Sequence, residues 1–70
     1  MERKRWYGPV PNTDDFGDQI VKCFIDGKTK MGPWALMTPR SHRERGIGLG
    51  TGRGQRYKLE SDGIWYKVEG

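Results

Sequence analysis

Cys23 and His42 are each the sole residue of their type in a chain of 70, so the chemistry open to the side chains is narrow. Two such ligands cannot complete the four-coordinate nitrogen and sulfur shell of a structural zinc, and no bound metal is expected. Neither residue is placed to catalyse. Cys23 falls in an apolar run, where a thiol behaves as a small hydrophobe, and His42 stands among arginines on an expected short helix, exposed or capping its end. Asp14 and Asp15 suit a polar turn better than a converging carboxylate pair. A catalyst needs an activated nucleophile, or an acid and base within hydrogen-bond reach. The expectation is therefore no enzyme, no catalytic residue and no cofactor.

Charge and ring stacking remain. Thirteen Lys and Arg stand against nine Asp and Glu, a formal net charge of +4. The distribution is uneven. Between Arg40 and Lys58 the only acid is Glu44, Arg3, Lys4 and Arg5 form a second basic cluster, and Asp14, Asp15, Asp18 and Asp26 make the stretch between them acidic. A one-signed face of this kind draws an anionic partner. Arg40, Arg43, Arg45, Arg53 and Arg56 are the expected contacts to nucleic acid, DNA or RNA, with Tyr57 or Trp6 as the stacking ring. A different class of function uses the same residues: Arg and exposed Trp also dominate protein interfaces, so the alternative is an effector that binds and modulates a host polymerase, nuclease or defence complex. A structural or accessory component is a third reading.

Gly46, Gly48, Gly50, Gly52 and Gly54 suggest a phosphate loop, but their even spacing fits neither G-x-G-x-x-G nor G-x-x-x-x-G-K-[ST]. Read as an extended ribbon, they leave one face bare backbone. Either a ligand phosphate lies against that face or Trp34 packs on it as on a shelf, the second being favoured.

The elements that must position these residues fit one small α+β domain. Residues 1–11 read as a flexible basic arm and 12–70 as the domain. Gln19–Ile25 alternates as a strand, Asp26-Gly27 is a hairpin turn signal, and Lys28–Met37 should return as the partner strand. Thr38 suits an N-cap and Pro39 the first helical position, so a short helix should run through Arg45 and stop at Gly46. Gln55–Glu60 and Ile64–Val68 form a second hairpin around Ser61-Asp62-Gly63. A chain this short has a marginal core, which three Trp, three Tyr and two Phe can reinforce. The lone cysteine rules out an internal disulfide, no apolar run is long enough to span a bilayer, and no signal-peptide core follows Met-Glu-Arg-Lys-Arg, which points to a cytoplasmic setting.

The order turn, hairpin, second turn, helix resembles a treble-clef zinc finger. Its two metal-binding knuckles would fall at Thr13-Asp14-Asp15-Phe16-Gly17 and Thr38-Pro39-Arg40-Ser41, with Thr13, Phe16, Thr38 and Ser41 standing where cysteines would be. The segments Asp26-Gly27-Lys28-Thr29 with Gly32-Pro33-Trp34-Ala35 and Gly48-Leu49-Gly50-Thr51-Gly52-Arg53-Gly54-Gln55 with Tyr57 resemble a family of small, largely uncharacterised proteins of tailed phages and prophages. In that family a DGKT-x-x-GPWA-x-M-C-x-x-C segment leads to GLGTGRGQ-x-Y. The likeness covers about half of the chain. It implies a phage origin, and so the cytoplasm of a bacterial host, but no activity. Where the family has its second cysteine pair this chain has Thr38 and Ser41, so hydrogen bonds among hydroxyls and packing of Phe16 are expected to replace the metal.

Overall fold

The apolar run that ends at Ile25 becomes the inner strand of a sheet, and the rest of the chain is arranged around it. The computed structural model describes residues 3–70. In chain order the elements are β1 (Cys23–Lys28), β2 (Trp34–Met37), α1 (Pro39–Arg45), β3 (Gly54–Leu59) and β4 (Trp65–Glu69). The strands form one antiparallel sheet in the order β2-β1-β3-β4, so the two expected hairpins are fused by the β1–β3 ladder.

Neighbouring strand residues point to opposite faces. Phe24 and Ile25 are both completely buried, which means that both faces of the sheet are covered. On the Phe24 side the cover is aromatic: Tyr57 stacks on Phe24 at 5.2 Å between centroids, Trp6 meets it edge-on at 5.2 Å, and Trp65 lies at 5.1 Å. On the Ile25 side lie Met37, also fully buried, and the glycine-rich loop. Trp6 belongs to this core because residues 4–6 run along β4: Trp6 N–H donates to Trp65 O at 2.9 Å and Lys67 N–H to Lys4 O at 2.8 Å. Met1 and Glu2 lie outside the described residues; within the segment 1–11 expected as a flexible arm, residues 4–6 are thus paired to the sheet.

Asp26-Gly27 does not turn. Gly27 sits mid-strand, opposite Ala35 on one side and Gly54 on the other. A Cβ there would stand 3.1 Å from Arg53 O and 3.3 Å from the Gly54 Cα, so the residue is glycine for close approach rather than for a bend. The reversal comes later. Thr29 donates through both N–H and Oγ1 to Pro33 O, at 2.9 and 2.8 Å, and Gly32 takes a φ of 110° that only glycine adopts readily. At the other end β1 starts at Cys23, not Gln19, because Gln19 pairs with Thr13 and Ile20 N–H donates to Asn12 O.

Helix α1 forms where its start signals place it. Thr38 Oγ1 accepts from Ser41 N–H at 3.1 Å and Pro39 follows as the first helical residue. The helix stops at Gly46 for an unexpected reason. Gly46 is extended, with φ −83°, and not left-handed; an added Cβ would collide with the His42 ring and lie 2.9 Å from His42 O.

The glycine segment is a closed loop and not an extended ribbon. Gly48, Gly50 and Gly52 all have positive φ and turn the chain back, so that Gly50 N–H donates to Gly54 O at 2.8 Å and Gly54 N–H to Gly50 O at 3.0 Å. Nor does Trp34 use it as a shelf: the atoms nearest its bare Cα positions belong to His42, Arg53, Ile25 and backbone, and Trp34 stays 48% exposed.

Gly54 is a position where this packing leaves little room, since a methyl would lie 3.1 Å from Gly48 O and 3.2 Å from the Gly27 Cα. Gly54→Ala is expected to cost about 1–3 kcal/mol of stability, seen as a lower urea midpoint at unchanged slope. An unaltered midpoint would show that the loop lifts off the sheet without penalty.

Candidate functional site

A buried carboxylate needs hydrogen-bond donors, and Asp14, 5% exposed, collects them from two separate turns. Its Oδ1 accepts from Phe16 N–H and Asp18 N–H, both at 2.9 Å, which winds the first turn around it. Its Oδ2 accepts from Thr38 N–H at 2.9 Å, which fastens that turn to the start of α1. Thr38 Oγ1 in turn donates to Asp18 Oδ2 and approaches Ser41 Oγ at 3.4 Å. Burial pushes the Asp14 carboxyl up, but hydrogen bonds from Ser41, Thr38, Asp18 and Phe16 more than cancel this and hold it below its ordinary 3.8.

Of the four expected knuckle positions the structure brings the side chains of Thr38 and Ser41 into this joint and leaves out those of Thr13 and Phe16. Thr13 is exposed and only pairs with Gln19. Phe16 is 40% exposed and faces away, with the Arg45 guanidinium 4.4 Å above its ring. Asp14 and Asp18 take their place, because a short acid reaches backbone N–H groups and a hydroxyl at once. The signal was present in the adjacent acids beside Gly17, which a turn reading absorbs without remainder. Among the described residues no group of three or more His, Cys, Asp or Glu could hold a metal ion.

His42 is neither exposed nor an end cap. Half-buried, it reaches Gly48 O through Nε2 at 3.0 Å, and since a carbonyl only accepts, Nε2 carries the hydrogen. It fastens the glycine loop to α1. Cys23 is half-buried, and burial, offset in part by Arg56, pushes its thiol up and away from the reactive thiolate.

The arginines separate into two groups. Arg56 lies against Glu69 at 3.5 Å, across the β3–β4 ladder. Arg53 bends over its own loop, 3.1 Å from where a Gly50 Cβ would stand. Tyr57 and Trp6, the expected stacking rings, are core members in edge contact with each other at 5.4 Å. These four therefore do not build one outward surface. Arg40, Arg43 and Arg45 do. Around α1 run three adjoining concavities: a groove with Trp34, Met31, Lys30, Phe16 and Arg45; a middle hollow that shares Phe16, Glu44 and Arg45 with it; and a cleft that shares Asp18 and Arg40 with the hollow and adds Arg43 and Lys22. The groove has a volume of about 510 Å³, and Trp34 at 48% and Met31 at 90% exposure stand open within it. Lys30 and Trp34 were missed as binding candidates because exposure is decided by the position of the β1–β2 reversal.

No protein-family model, no curated protein and no solved structure matches this chain. Among the described residues no helix is long and apolar enough to cross a membrane.

Asp14 is less basic in the folded chain than in the unfolded one, so the unfolded state takes up more protons as acid is added. Its stabilisation is therefore complete above 3.8 and lost as pH falls through the lower folded value. Asp26, raised by burial, works in the opposite direction. Asp14→Asn should cost about 1.5–3 kcal/mol at neutral pH, and its urea midpoint should fall less steeply than the wild type below pH 4. Parallel pH profiles of the two proteins would argue against the joint.

Proposed function

We propose that this chain is a small, non-enzymatic nucleic-acid-binding module, of phage origin, that carries its ligand along the cationic track around α1. The observation that carries the reading is the continuity of the three concavities, which lines up Lys30, Arg45, Arg40, Arg43 and Lys22 with an open aromatic groove at one end. Cations in sequence with exposed rings match an anionic backbone that bears flat bases.

Most of the acids point toward donors of the chain itself. Asp14, Asp15 and Asp18 take N–H or hydroxyl hydrogens of the chain itself, Asp62 takes Ile64 N–H and the Tyr66 hydroxyl, and Glu60 and Glu69 face Arg3 and Arg56. Along the track only Glu44 is an acid without such a role among the described residues. Three carboxylates, Asp15, Asp18 and Glu44, thus stand beside the five cations of the track, and the first two are held by the chain's own N–H and hydroxyl groups.

The frame fits a treble-clef-like reading. A bridged turn, a hairpin and a second turn leading into a helix follow in that order, and the Asp14 carboxylate joins the two turns where such frames place a metal. In this proposal the metal's mechanical role has passed to a hydrogen-bonded acid, while the helix keeps its outward face for the ligand.

Five cations on five phosphates of a single strand give a salt slope of about −3.5, or roughly a 100-fold loss of affinity between 50 and 200 mM salt. Arg40→Glu with Arg43→Glu should abolish most binding to a fluorescent oligonucleotide, whereas Arg56→Gln should leave it intact. Salt-independent binding, or equal loss on all three changes, would sink the proposal. Capture of one dominant partner from nuclease-treated lysate, with no oligonucleotide affinity, would favour a protein-directed effector instead.

A further inference from the structure

Trp34 is the one tryptophan that the core does not use. Trp6 and Trp65 pack around Phe24, while Trp34, at the free edge of β2, faces the groove with 48% of its surface open. Across the groove Phe16 is 40% exposed on one side and roofed on the other by the Arg45 guanidinium. The walls are apolar, from Trp34, Phe16, Met31, Pro33 and Ala35, and the lips carry Lys30 and Arg45. Two acids also stand at the lips, Asp15, which is turned to Leu36 N–H at 2.8 Å, and Glu44.

Apolar, aromatic walls with Lys30 and Arg45 at the lips are complementary to a flat heteroaromatic ring tethered to an anion. Resting on the reading of the chain as a nucleic-acid binder, we propose that the groove takes an unstacked base of a single-stranded segment against Trp34, while the phosphates on either side of that base lie by Lys30 and Arg45. A base within a duplex has both of its faces covered by neighbours, so Trp34 and Phe16 are reached only by a base outside the stack. The track continues from Arg45 to Arg40, Arg43 and Lys22, and the strand leaves the groove along it. The groove therefore selects single strands over duplexes, and the helix face supplies affinity without sequence preference. The chemistry is the same for DNA and RNA.

The test uses the full chain labelled with 5-fluorotryptophan and titrated with a twelve-nucleotide oligothymidylate and with a duplex of equal length. The single strand should shift one of the three fluorine resonances, that of Trp34, assigned by its loss in Trp34→Phe, and leave the two core signals in place. Trp34→Ala should weaken binding of the single strand about ten-fold or more at every salt concentration with the salt slope unchanged, because a stacking contact is lost and no phosphate contact is. Lys30→Gln, at an exposed site that does not threaten folding, should instead reduce the slope by about 0.7. An immobile Trp34 resonance at saturation, wild-type affinity in Trp34→Ala, or a duplex bound as tightly as the single strand would overturn the groove proposal while salt-dependent binding to the helix face survives. A dimer in sedimentation that Trp34→Ala dissolves would overturn it in favour of a second copy in the groove. Absence of any oligonucleotide binding would remove the wider functional reading as well.

Discussion

The geometry of this domain depends on one carboxylate. Asp14 accepts from the backbone of its own turn and from Thr38 at the head of α1, so the first turn, the end of β2 and the helix are held in one place by a single side chain. An anion buried without donors would cost several kcal/mol. Here each oxygen is satisfied, so the penalty is met and the group acts as a directional clamp. Since α1 has only 7 residues, too few to be stable alone, its position and that of its arginines follow from the clamp and from packing on β1 and β2.

The glycines serve the same end. Gly27 and Gly54 let strand and loop backbones come closer than any side chain allows, and Gly46 does so for the helix end and the His42 ring. His42 then holds the loop by Gly48 O. The loop that looked like a ligand cradle is in this way part of the core of a chain short of aliphatic residues, and the outward surface is left to α1 and to the β1–β2 reversal.

What could be read from the residues was local. The Thr38 cap, the Pro39 start and the turn at Ser61-Asp62-Gly63 are decided within a few positions, and the structure has all three. Features that depend on distant partners were not readable. Asp26-Gly27 has the composition of a turn, yet its neighbour Gly54, 27 positions on in sequence number, keeps it straight. Arg56 looks as free as Arg43 until the register of β3 against β4 sets it beside Glu69. Trp6, Tyr57 and Trp34 are alike as aromatic residues in a basic chain, yet the pairing of residues 4–6 with β4 draws Trp6 into the core, the β1–β3 register sets Tyr57 on Phe24, and Trp34 on the edge strand β2 stays open. The small α+β class was therefore legible, and the division of arginines and rings between interior and surface was not.

The pairing of residues 4–6 with β4 has a further effect at the margins of the sheet. A bare outer strand offers its unpaired N–H and C=O groups to any other extended chain and invites edge-to-edge aggregation. Beyond β4 those groups are occupied by Lys4 and Trp6, and along β2 both the N–H and the C=O of Leu36 are taken by Asp15. A protein with this much aromatic surface and so small a core is thus protected against templated strand addition at both borders by a few residues outside the regular strands.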